Sequence, residues 1–85
     1  MTTRDEIYDA LSQLLQPFNS KAVELTPATE ISADLSLDSV SVMDFVMEVE
    51  DHFEIDIPLN VLSETRTMND LVAVVETRLR QRAAS

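Results

Sequence analysis

Eighty-five residues are a length for one domain, 1–85, with a modest core and no room for a large enclosed active site. The absence of Gly excludes Gly-rich phosphate loops and the dinucleotide fingerprint, and the absence of Cys excludes disulfides, thiolate metal sites and a protein-borne nucleophilic thiol. The net charge of -10 is carried mostly by Glu30, Asp34, Asp38, Asp44, Glu48, Glu50, Asp51, Glu54 and Asp56, while Arg4, Lys21, Arg66, Arg78, Arg80 and Arg82 all lie outside that window. Such a field repels nucleic acid and anionic lipid and steers toward basic protein patches.

The first residues lack the apolar segment of a signal peptide, and no stretch approaches the roughly 18 apolar residues of a membrane span, so a cytoplasmic address without membrane insertion is expected. Thr3 with Glu6 three residues on fits a capping box, and Ile7, Ala10, Leu11, Leu14, Leu15 and Phe18 follow at helical spacing. This predicts a first helix to about Gln16, ended by Pro17. The next twenty or so residues show no sustained period, although Val23, Leu25, Ile31, Leu35 and Leu37 offer apolar anchors; a loop of that length is uncommon and often functional.

Asp38 is placed to cap the next helix, whose core stripe Val42, Phe45, Val46, Val49, Phe53 steps by 3, 1, 3 and 4. Its end is expected near Phe53 or Glu54, because Ile55-Asp56-Ile57 is rich in β-branched residues and Pro58 disfavours helical geometry at Ile57. Leu59, Val61 and Leu62 predict a turn or two of helix. Thr67, with Asp70 at the third helical position, then opens a last helix with the stripe Met68, Leu71, Val72, Val75 and Leu79, and with Arg78, Arg80 and Arg82 complementing its C-terminal dipole. The fold class is therefore all-α, a small helical bundle of three long helices plus one short helix, without repeats or evident strands.

Ser39, at the head of the acidic helix, is the one hydroxyl whose surroundings suggest chemistry. A nucleophile needs a base within hydrogen-bond reach, and His52, the only His, lies thirteen residues along the same helix, roughly 20 Å away. An EF-hand starting at Asp34 would put Ser39 where Gly is required and Phe45 where a bidentate Glu is required. Glu48, Asp51 and His52 offer at best a weak cation contact, so no metal site is assigned. A helix cap is the plain alternative for Ser39. A hydroxyl at a helix N-terminus is also well placed to carry a phosphate group, because the free N–H groups and the positive dipole end stabilise the added charge.

Asp38-Ser39-Val40 at the head of an acidic helix, then Phe53, Ile57-Pro58 and Thr67-Met68 opening the last helix, resembles the acyl carrier proteins over about residues 5 to 80. The resemblance implies a carrier that is not itself an enzyme. It implies attachment of 4'-phosphopantetheine, taken from coenzyme A, to Ser39 beside Asp38 by a phosphopantetheinyl transferase, with acyl groups carried as thioesters on the arm's thiol. The family's usual run is Leu-Gly-x-Asp-Ser-Leu; here Ser36 replaces the Gly and Val40 the Leu, which favours a carrier for a specialised lipid or secondary metabolite over the housekeeping fatty-acid carrier.

Beyond its core stripe, the acidic helix carries Val40, Met43 and Met47 on a neighbouring face, interleaved with Asp44, Glu48 and Asp51. These residues, with Glu50 carried over from the family, form the expected surface for acyl-transferring and synthase enzymes with basic docking patches, which a monomer would visit in turn. Val46, Val49, Leu62, Leu71 and Val75 are expected both as ordinary core and, through the resemblance, as lining for an acyl chain. An aminoacyl or peptidyl carrier and, from another class, an unmodified acidic module that binds a basic protein are the competing functions.

Overall fold

The computed structural model describes residues 3–84, with side chains through Arg82; Met1, Thr2 and Ser85 of the expected domain lie outside the described residues. Helix α1 (Arg4–Leu15) starts as its sequence dictates: Thr3 Oγ1 accepts from Glu6 N at 3.2 Å and Glu6 Oε1 accepts from Thr3 N at 3.2 Å, a reciprocal cap. Gln16–Phe18, with Pro17 inside, tightens the chain into a 3-10 turn that ends α1.

The following loop is shorter than the sequence suggests, because Ile31–Leu35 forms a helix of its own, α2. Ile31 and Leu35, one turn apart, are both buried, and α2 packs on the next helix. Five residues cannot hold a helix by local bonding alone, so this one depends on tertiary packing. Its entry is tied to a distant segment: Glu30 and Thr67 form an antiparallel bridge, and Ile31 N donates to Arg66 O at 3.0 Å.

Helix α3 (Ser39–Phe53) turns Phe45, Val46 and Val49 into the core and is followed by α4 (Leu59–Leu62) and α5 (Met68–Ala84). Thr67 Oγ1 accepts from Asp70 N at 3.0 Å, while Asp70 Oδ2 accepts from Thr67 N at 3.1 Å and Arg66 N at 3.2 Å. Two further N–H groups of this helix end are met by the long loop: Met68 N donates to Thr29 O and Asn69 N to Pro27 O, both at 2.9 Å. The loop therefore serves as a backbone cap for α5.

Three long helices and the short α4 match the expected bundle, to which α2 is an addition, and there is no strand among the described residues. Helix α1 packs against both α3 and α5 around Ile7, Leu11, Leu15, Phe45, Met68, Leu71 and Val75, all essentially without exposed surface. Phe18 covers the core's edge, its ring edge-on to Phe45 at 6.0 Å.

A chain without Gly must make its left-handed turns with side chains in place. Ala22, Ser36 and Glu54 all do so, at φ 52, 55 and 55. Ser36 closes α2 and Glu54 closes α3; at the latter, Ile55 N donates back to Glu50 O at 3.1 Å, and Arg82 Nη1 donates to the Phe53 carbonyl at 3.1 Å.

Candidate functional site

Ser39 is the first residue of α3 and is exposed. Asp38, immediately before it, has extended backbone and accepts from Ser41 N at 2.8 Å through Oδ1. That N–H bond, reinforced by the Ser41 hydroxyl, holds the Asp38 carboxyl below its ordinary pKa. Capping of α3 is thus performed by Asp38, and the Ser39 hydroxyl has no hydrogen-bond partner among the described residues. The plain alternative for Ser39, a capping role, is filled by its neighbour. His52 lies at the far end of the same helix, its ring edge-on to Phe53 at 4.8 Å, so the two residues form no catalytic pair.

The turn that presents Ser39 is closely held. Ser36 N bonds to Ala33 O at 3.4 Å, Leu37 N to Ser32 O at 2.9 Å, and Ser32 Oγ to Leu37 O at 3.2 Å. The half-buried Leu37 packs against the core. Ser39 therefore projects from a fixed corner between two helices.

On the outer face of α3, Val40, Met43 and Met47 are 68%, 40% and 57% exposed, with Asp44, Glu48 and Asp51 exposed around them. Leu59 of α4, 70% exposed, is a further large apolar group, which the sequence placed in the short helix without assigning it a role. In a helix of four residues no period separates the buried side from the open one, so nothing in the sequence marked Leu59 out.

Glu50 departs from the expected docking set. It is half-buried, and its Oε2 accepts from Ile57 N at 2.8 Å, pinning the loop after α3. The carboxylate satisfies the backbone donor of a buried residue and is committed inside the molecule.

A cleft of about 270 Å³ opens between α2, the first half of α3, α4 and the start of α5. Of the residues expected to line an acyl chain, Val46, Leu62 and Leu71 stand in its walls. Val49 and Val75, also expected there, are fully buried core residues outside its walls. The reason is axial: Val49 sits about 10 Å further along α3 than Val42, and Val75 about 6 Å further along α5 than Leu71, beyond the cleft's reach. Their places are taken by Ile31, Ala33, Val42 and Phe45, with Thr65 and Arg66. Sequence reasoning missed the α2 contribution, though Ile31 and Leu35 at i and i+4 were its signal. The cleft lies at the end of α3 that carries Ser39.

No group of three or more His, Cys, Asp or Glu side chains converges to hold a metal ion among the described residues. None of the helices among them is long and apolar enough to cross a membrane.

The family model for the phosphopantetheine attachment site matches residues 5–75. The chain is 41% identical over 63 residues to a probable acyl carrier protein of Caulobacter vibrioides, covering 74% of this chain and 72% of that one. It is 32% identical over 79 residues to an acyl carrier protein of an Exiguobacterium species, covering 93% and 100%, and 29% identical over 75 residues to the meromycolate extension acyl carrier protein of Mycolicibacterium smegmatis, covering 87% and 76%. With a match across most of its length and relatives of the same description at this identity, the chain belongs to the phosphopantetheine-bearing acyl carrier proteins, which are carriers and not enzymes.

Proposed function

We propose that Ser39 is the attachment point for 4'-phosphopantetheine, and that the protein carries acyl intermediates as thioesters in fatty-acid or specialised lipid or polyketide biosynthesis. One observation carries this reading: an exposed hydroxyl, without a hydrogen-bond partner among the described residues, opens a fifteen-residue helix whose cap is supplied by the residue before it. The residues fit the group. A phosphodiester on Ser39 Oγ would project into solvent at the helix N-terminus, where the backbone dipole offsets negative charge. When attached, the group supplies a terminal thiol on which acyl groups are held; the chain itself has no Cys.

The chain's own residues do the remaining work. Asp38 fixes the start of α3, and the bonded turn at Ser36–Leu37 fixes its approach. The apolar side chains Val40, Met43 and Met47, rimmed by Asp44, Glu48 and Asp51, meet basic patches on a phosphopantetheinyl transferase and on acyl-transferring and synthase enzymes. Such charge pairing raises encounter rates and selects partners while leaving affinity moderate, which suits a cytoplasmic, monomeric, single-domain shuttle. The cleft beside Val42, Val46 and Leu71 gives part of an acyl chain an apolar refuge at the same end of the bundle. Ser36 and Val40 in place of the family's usual Gly and Leu favour a dedicated carrier.

Incubation with coenzyme A and a promiscuous phosphopantetheinyl transferase, followed by intact mass, tests the assignment. The parent gains one phosphopantetheinyl group and Ser39→Ala gains none. No gain in the parent would favour an unmodified acidic binding module; loading of the modified protein by an amino acid-activating enzyme would favour an aminoacyl or peptidyl carrier.

A further inference from the structure

We infer that Lys21 is a positioning residue for the modification, placing a tethered cation beside the attachment turn as a counter-charge for the phosphodiester; this rests on the assignment of Ser39. Lys21 Nζ donates to Ser36 Oγ at 2.9 Å, joining residues fifteen apart in sequence. Lys21 is the chain's only Lys. Its partner closes α2 at φ 55, ψ 43 and stands three residues before Ser39.

The contact exists because Ser36 is not Gly. At a left-handed position Gly is the unstrained choice, and Ser brings a Cβ that the backbone disfavours. It also brings a hydroxyl, and that hydroxyl receives the ammonium. Both residues are exposed, so the bond itself adds little to stability. Its consequence is electrostatic: it fixes where a positive charge sits on a chain of net charge -10.

The other cations are engaged elsewhere or tied to other segments. Arg4 and Arg80 pair with Glu76, Arg82 with Glu54 and Arg78 bonds to Gln81, while Arg66, on the wall of the cleft, is the other cation at this end of the bundle and is not tied to the attachment turn by a side-chain bond among the described residues. Three residues span at most about 11 Å between Cα atoms, well inside the Debye length of about 30 Å at 0.01 M salt and beyond that of about 3 Å at 1 M, so a charge held at Ser36 acts on Ser39 at low salt and is screened at high salt. The approaching transfer centre brings phosphate charge to an acidic surface that already holds Asp34 and Asp38. A cation fixed at the turn lowers that repulsion during transfer and in the modified protein alike.

Lys21→Gln keeps an amide donor for Ser36 and removes the charge; Lys21→Arg keeps the charge; Ser36→Ala keeps the lysine and releases it from the turn. Initial rates of transfer from coenzyme A are measured by intact mass at about 0.01 M and 1 M salt, together with the melting temperature of each protein before and after modification. At low salt Lys21→Gln is slower by roughly two- to fourfold, Lys21→Arg matches the parent, Ser36→Ala falls between, and all four converge at high salt. Modification lowers the melting temperature of Lys21→Gln more than that of the parent. Equal low-salt rates for Lys21→Gln and the parent, with Ser39 modified in both, would overturn the role of Lys21 alone; a parent that gains no mass would overturn the Ser39 assignment with it.

Discussion

Comparing Ser36→Gly with Ser36→Ala isolates the cost of a side chain in a left-handed turn. Both variants lose the hydroxyl and with it the Lys21 contact, so they differ only in Cβ. At φ 55 and ψ 43 that Cβ costs about 1–2 kcal/mol, while Gly forfeits about 0.5–1 kcal/mol through the greater freedom of its unfolded chain. Ser36 is exposed, so no buried area changes hands. At mid-range the Gly variant is therefore more stable than the Ala variant by about 0.75 kcal/mol, which in a domain of this size raises Tm by about 3–6 °C. Thermal unfolding followed by far-ultraviolet circular dichroism, with urea titration as a second measure, reads the difference directly. Ala22→Gly repeats the comparison at φ 52 with no side-chain hydrogen bond at stake and moves the same way. Gly variants no more stable than their Ala counterparts at both positions would refute the strain argument.

Removing the Glu50 carboxylate orphans the Ile57 N–H, so Glu50→Ala costs about 1–3 kcal/mol and Glu50→Gln, which keeps an acceptor, recovers most of it; an unchanged urea midpoint in Glu50→Ala would count against the inward role of that residue. Charge reversal at Asp44 or Asp51 slows acyl transfer by a partner enzyme at low salt while the helical signal stays intact, and equal rates would remove these residues from the docking face. Added salt raises Tm by screening the crowded carboxylates of α3, which a flat salt series would contradict. Asp70, held below its ordinary pKa by the Thr67 and Arg66 N–H groups, favours folding fully above about pH 3.9, and this contribution disappears as pH falls through the lower folded value. The stability gap between the parent and Asp70→Asn therefore closes on acidification below about pH 4; a gap that persists in strong acid would deny the cap its charge.

By itself, the amino-acid sequence determined whatever depends on neighbours a few residues away. The Thr3–Glu6 and Thr67–Asp70 caps, the core stripe of α3, its end before Pro58 and the exposure of Val40 and Met47 all follow from helical geometry acting over one or two turns. Ser39 at the head of α3 was legible for the same reason, since Asp38 beside it is the capping residue. Tertiary structure decided what depends on segments that meet only after folding. Helix α2 is too short to persist by local bonding and stands because Ile31 and Leu35 are buried and Ile31 N finds Arg66 O. The inward commitment of Glu50, the backbone caps that Pro27 and Thr29 lend to α5, and the reach of Lys21 to Ser36 are single hydrogen bonds across seven to forty-two residues, and no periodicity encodes them. Val49 and Val75 share their stripes with the cleft residues Val46 and Leu71, and only the assembled bundle shows that they stand outside its walls.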